Sequence, residues 1–178
     1  MTSLDILLIA LFPIIFMIHD FEEIIMMRWW VTKNGDFLQE KFPKTYSKMG
    51  FIFNHSTSAF ALAVAEEFVI FSAITFTAII FNWYFLWLGL FMCIFIHCFM
   101  HIGQFILLKR YVPCIITSIL ILPYFFFTFF RMIDYFSIKD FIIWTLIAVV
   151  IFGINLLFVH KLANVFDKKF KIQCLKST

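Results

Sequence analysis

Residues 85–108 read FLWLGLFMCIFIHCFMHIGQFILL. The stretch contains no Asp, Glu, Lys or Arg, and Lys109-Arg110 follows it at once. A helix needs roughly 20 apolar residues to cross the hydrocarbon core of a bilayer. A basic pair at its end marks the membrane interface. These residues therefore predict a transmembrane helix. Its polar exceptions, His97, His101 and Gln104, require a separate reason.

Reading outward gives four more spans. The first covers about 4–27; Pro13 interrupts it and Arg28-Trp29-Trp30 closes it. Residues 31–50 form a polar connection with a turn predicted at Asn34-Gly35. The next span covers 51–81, longer than a bilayer requires, and Asn82-Trp83-Tyr84 turns the chain into 85–108. The last two cover 111–130, with Pro123 as a kink, and 141–160. The run of phenylalanines within 125–130 is expected to face lipid. The fold class predicted is all-α: a polytopic helical bundle of about five transmembrane helices in one domain, 1–178, with a basic tail at 161–178. Composition agrees. The chain is 63% hydrophobic and 14% charged, against about 45–50% and about 25% for soluble domains, which excludes a soluble globule.

Charge placement sets the expected orientation. Arg131 and Lys139 fall on one side, and all the other lysines and arginines fall on the opposite side. Positive residues favour the cytoplasm, so the N-terminus is expected outside and the C-terminus inside, in a multi-pass protein of the cell membrane. The apolar start lacks a basic leader and a small-residue cleavage site, so it reads as a retained helix. Cys93, Cys98, Cys114 and Cys174 form no CxxC pair and read as reduced, small apolar fillers. Nucleic-acid binding is not indicated. The cations are explained by topology, and no glycine-rich phosphate loop is present.

The buried ionisable groups carry the functional information. An acidic residue at the centre of a membrane helix costs roughly 2.5–3.5 kcal/mol on insertion scales. This sequence places His19-Asp20-Phe21-Glu22-Glu23 in the first span, His55 and Glu66-Glu67 in the second, and His97, His101 and Gln104 in the third. Residues i, i+3 and i+4 are neighbours on a helix, which groups His19 with Glu22 and Glu23, and His97 with His101. His55 and Glu66 are eleven residues apart, close to three turns, and share a face if one helix carries both. Asp20 is expected to point away from the His19–Glu23 face, as a supporting or surface group. His160 reads as an interfacial residue, Asp167 as an ordinary tail residue, and Asn54 and Ser56 as helix caps.

All three sets fall between the bilayer centre and its cytoplasmic half. No lysine or arginine reaches that depth. Adjacent carboxylates in a low dielectric cannot both ionise without a counter-charge, so they hold protons or a cation. Imidazole and carboxylate ligate zinc and iron, and facing helices build di-iron sites from such residues. The expected metal ligands are His19, Glu22, Glu23, Glu66, His97 and His101, with Glu23 and Glu67 as acid/base groups. Asp20, His55, Gln104 and Tyr111 would support them.

His19-Asp20-Phe21-Glu22-Glu23 has the form H-x-x-E-E. It resembles the signature of the HXXEE family of bacterial integral membrane proteins, which has no assigned activity. That family's pattern also contains a further histidine, here His97 or His101, and a Tyr-x-Pro-Gly motif. Tyr111-Val112-Pro113-Cys114 looks like the latter, with cysteine standing where the family has glycine. The resemblance spans roughly Asp5 to Thr117. It implies that His19, Glu22 and Glu23 are functional.

Two functions fit these residues. One is a membrane-embedded metal-dependent enzyme acting on a lipid-soluble substrate, a zinc hydrolase or a di-iron oxidase. The other is a small proton- or cation-coupled transporter using the same groups. The bilayer is the expected partner, and a homodimer is compatible with both functions.

Overall fold

The structure, a computed structural model, describes residues 1–53 and 55–176, the side chains of 48–49, 51–53 and 171–176 excepted. The described residues form six helices: α1 (Ser3–Lys41), α2 (Pro43–Phe53), α3 (Thr57–Phe81), α4 (Phe85–Leu108), α5 (Ile115–Met132) and α6 (Ile138–Lys176). Five of them, all but α2, are long and apolar enough to cross a membrane.

α1 starts with a capping box. Thr2 and Asp5 satisfy each other's backbone donors, which removes two of the unpaired groups at a helix start. Asp5 is fully buried and also accepts from Arg131 at 2.8 Å and Tyr135 at 2.6 Å, locking α1 to the end of α5. Pro13 is accommodated within α1. The turn expected at Asn34-Gly35 is absent: α1 runs through it to Lys41. Asn34 folds its side-chain amide back onto the Trp30 carbonyl at 2.9 Å. Trp30 and Leu38 pack with Val112 and Ile115, and this burial outweighs the local turn preference.

The stretch 51–81 is not one helix. α2 ends at Phe53, and α3 begins at Thr57 with Ser56 as N-cap, accepting from Ala59 N at 3.1 Å. His55 therefore lies before the cap and shares no helical face with Glu66. Ser56 acts as the cap expected; Asn54 lies outside the described residues. The chain that reads as a separate tail continues α6 through Lys176.

The core is aromatic. Phe12 stacks on Phe71 at 5.6 Å and meets the edge of Trp87 at 5.9 Å. Phe125, expected among lipid-facing residues, is fully buried and lies parallel to Phe95 at 5.3 Å, whereas Phe127 and Phe130 are exposed. α4 packs most extensively on α6, and α1 on α3. The α4–α6 approach depends on Gly89. A Cβ there would strike the Trp144 carbonyl oxygen and sit 2.9 Å from Ala148 Cβ. Small residues at such points let membrane helices meet backbone to backbone.

Candidate metal centre and chamber

The site forms where α1, α3, α4 and the start of α5 meet. His19 is fully buried on α1; His97 and His101 stand one turn apart on α4. Their rings cluster: His19 lies 5.6 Å from His97 and 5.2 Å from His101, which lie 4.4 Å from each other. His97 Nε2 and His101 Nε2 are 2.8 Å apart, sharing one proton in a hydrogen bond. His19 Nδ1 meets Thr117 Oγ1 at 3.3 Å. Among the described residues, His19 Nε2 and His101 Nδ1 are buried without a hydrogen-bond partner. Buried polar atoms are rarely left so, and an unpaired imidazole nitrogen is a ready metal ligand.

The third candidate donor is Cys114, a residue whose sequence context alone reads as apolar filler. Cys114 Sγ joins the histidines: one ligand atom each from His19, His101 and Cys114 falls within 4.8 Å of the others, and all three residues are buried. Cys114 occupies φ 68°, the left-handed region. Glycine adopts it freely and other residues only under strain. The turn brings the thiol to the site, where Sγ donates to the His19 carbonyl at 3.4 Å.

The two motifs meet through Glu22. Its carboxylate accepts from Tyr111 OH at 2.7 Å, from Thr117 N at 2.8 Å and from Thr117 Oγ1 at 2.7 Å. Thr117 lies in the first turn of α5, whose N–H groups lack helical partners and favour an anion. Glu22 thus caps α5 and fixes the Tyr111–Cys114 turn. Its donors engage both oxygens, one at Oε1 and two at Oε2, and hold the carboxylate in place. Glu66 also stands apart, with Oε2 accepting from Asn155 on α6 at 3.1 Å.

A chamber of about 840 Å³ adjoins the cluster. Asp20, Glu23, Glu67, His97, His101 and Gln104 reach its wall; the rest is mostly apolar. Asp20 is buried and faces this chamber rather than the outer surface, close enough to Glu23 and Glu67 for their charges to interact. Glu23 also reaches the Cys114 thiol. His19 and Cys114 sit behind the wall, and His101 is the member of the trio that faces both ways.

His55 belongs to a different junction. Its Nδ1 lies 3.5 Å from Asp167 and its Nε2 lies 3.3 Å from His160 Nδ1. The two rings are parallel within 6° with centroids 5.4 Å apart, so with nitrogens this close they meet edge to edge. Asp167 also accepts from Ser56 N at 3.0 Å, tying α6 to the start of α3. His160 lines the chamber. Neither His160 nor Asp167 carried a motif. Only the unbroken course of α6 brings residues this distant in sequence to His55.

No curated protein and no solved structure is found to match the chain. A family model described as "Protein of unknown function with HXXEE motif" matches residues 10–128. His19, Glu22, Glu23, His97, His101 and the Tyr111–Cys114 turn all fall within that match, and the chain belongs to the HXXEE family.

Proposed function

We propose that this protein is a multi-pass membrane enzyme that uses a bound divalent metal, zinc, on a lipid-soluble substrate. The observation that carries this reading is the convergence of His19, His101 and Cys114 beside a largely apolar chamber whose wall holds Glu23 and Glu67. Thiolate with imidazole is a zinc donor set. Di-iron sites of helical bundles are instead rich in carboxylate ligands, and here Glu22 and Glu66 are engaged elsewhere. Zinc would supply a Lewis acid that lowers the pKa of a water to about 7. Glu23, which reaches both the thiol and the chamber, is placed to take the proton, and Glu67 to return it. The apolar wall would hold the substrate and exclude bulk water. A hydrolysis is the chemistry these groups can complete without a redox partner.

A proton- or cation-coupled transporter is the second reading, favoured by the carboxylates on the chamber wall. Transport needs a path to each face of the membrane. The packed rings of Phe12, Trp87 and Phe91, which do not line the chamber, fill the core beyond it, which supports the enzyme instead.

Elemental analysis of detergent-purified protein tests the proposal. About one zinc per chain is expected by the coordination argument, lost in His19→Ala, His101→Ala and Cys114→Ser and retained in Glu66→Gln. No zinc in the wild type, even after reconstitution, would remove the metalloenzyme reading. Cation flux in liposomes without bound metal would replace it with transport.

The orientation proposed is N-terminus outside and C-terminus cytoplasmic, supported by the placement of lysine and arginine. A reporter active only in the cytoplasm should work when fused after Thr178 and fail when fused before Met1. The reverse pattern would invert the topology.

A further inference from the structure

A second cluster of imidazole and carboxylate lies away from the metal trio, where the start of α3 meets α6. His55 and His160 are 4% and 6% exposed. His55 Nε2 stands 3.3 Å from His160 Nδ1, with ring centroids 5.4 Å apart and planes within 6°. The centroid separation exceeds the nitrogen separation by almost two ring radii, so the nitrogens face each other nearly head-on. That geometry suits a shared proton. A zinc ion between facing nitrogens would need about 4 Å, from bonds of about 2 Å each. On its other side, His55 Nδ1 has no hydrogen-bond partner among the described residues, and Asp167 Oδ2 stands 3.5 Å from it. Asp167 is held by Ser56, whose N and Oγ both donate to it, and its side chain is 15% exposed. Arg28 of α1 donates to the His55 carbonyl rather than to the ring. Arg28, His55 and Ser56 border a niche of about 10 Å³, close to the roughly 10–15 Å³ that one water needs. At the opposite end, His160 lines the chamber. A cross-link between α3 and α6 requires only a donor and an acceptor. Two imidazoles in series can also move a proton, since each takes one on one nitrogen and releases one from the other.

We infer that His160, His55 and Asp167 form a proton relay between the chamber and the protein surface at the α3–α6 junction. This rests on the chamber being the working site proposed above, and it assigns an exit to the proton that hydrolysis releases there. Hydrolysis of an ester consumes one water and yields an alcohol and a carboxylic acid, and the acid then loses a proton. Glu23 and Glu67 exchange protons within the chamber; the relay carries the surplus one out. His160 accepts it on Nε2 and passes its Nδ1 proton to His55 Nε2. His55 then passes its own Nδ1 proton to Asp167 or to water in the niche, and from there it reaches the surface. One proton enters, one leaves, and only N–H and O–H bonds change. Both rings finish in the opposite tautomer and turn over before the next transfer.

The test is nuclear magnetic resonance of the full chain in detergent, isotope-labelled at the histidine nitrogens. Wild type should show a scalar coupling between His55 Nε2 and His160 Nδ1, the signature of a shared N–H···N proton, and exchange of the His160 ring proton with water. His55→Gln keeps a side chain that donates and accepts but cannot pass a proton through. It should slow exchange at His160 by about a hundredfold, the lower end of what a positioned proton carrier contributes. Asp167→Asn should slow it in the same direction. A His55→Gln protein that melts like wild type and exchanges at the wild-type rate would overturn the relay, because the junction would then be structural only. Absence of the nitrogen–nitrogen coupling in wild type would do the same. If His55→Gln does not fold, Asp167→Asn and the wild-type coupling decide. Zinc measured on the same samples separates the two proposals. Slowed exchange in a protein that never binds zinc keeps the relay and removes the hydrolase; bound zinc with unchanged exchange does the opposite.

Discussion

Glu22→Ala is expected to lower the protein's stability and, with the metal centre proposed here, its metal content. The substitution strands the Tyr111 hydroxyl and the Thr117 N–H, which donate to Glu22, whereas the Thr117 hydroxyl keeps the His19 and Cys114 carbonyls as acceptors at 3.4 Å. Both donors are part-buried, so each costs about 1 kcal/mol or somewhat more when left unpaired, and a total loss of about 2 kcal/mol or more is expected. The turn that carries Cys114 would then relax out of φ 68°, a conformation that a cysteine holds only while its surroundings impose it. Metal content should fall with the thiol's displacement. Glu22→Gln keeps an acceptor oxygen and should retain part of both. Thermal unfolding in detergent, read beside metal content, checks this. An alanine variant with wild-type melting and full zinc would show that the capping contacts do not hold the turn.

Gly89→Val should separate α4 from α6. Even a methyl group at this position collides with the Trp144 backbone carbonyl, which cannot rotate away as a side chain would. Overpacking of a tight interface costs about 1–3 kcal/mol and sometimes more, and a backbone obstacle puts this case at the upper end. The expected result is loss of the monodisperse species in size-exclusion chromatography or a large fall in melting temperature. Gly103→Ala is the matched control. It lies on the same helix with nothing within 4 Å of the added carbon, and alanine is the better helix former. Equal behaviour of the two variants would mean that the α4–α6 contact is not close.

Long apolar periods were the most legible part of the sequence. The stretch 85–108 coincides with α4 because nothing within it competes with the helix and Lys109 turns left-handed at its end. Asn34-Gly35 misled because turn preference is local, whereas the burial of Trp30 and Leu38 is not. The break before Thr57 was hidden in an apolar run whose only signal was the Ser56 cap. Within the site, helical spacing grouped His19 with Glu22 and Glu23 but could not divide their roles. That division depends on where Tyr111 and Thr117 stand, about ninety residues later, and sequence spacing does not encode such a distance. The same limit hid Cys114 as a donor and the contact of His55 with His160 and Asp167.

For the enzyme proposed above, the length of α1 bears on how a lipid-soluble substrate would exchange. Its 39 residues rise about 58 Å at 1.5 Å each, nearly twice the roughly 30 Å hydrocarbon thickness. Its last turns, with Leu38 and then Phe42 and Tyr46, line the same chamber as Phe16 and Phe71 far above them. In a bilayer of that thickness a helix so long would extend beyond the hydrocarbon, and a chamber along it would meet both hydrocarbon and the headgroup layer. A lipid-soluble substrate of the kind proposed would then keep its apolar part in an oily medium as it entered. Drawing that part through water would cost about 0.8 kcal/mol per methylene, and that barrier is absent from a sideways exchange. For the proposed enzyme, turnover would then be governed by exchange of substrate with the bilayer rather than by its solubility in water.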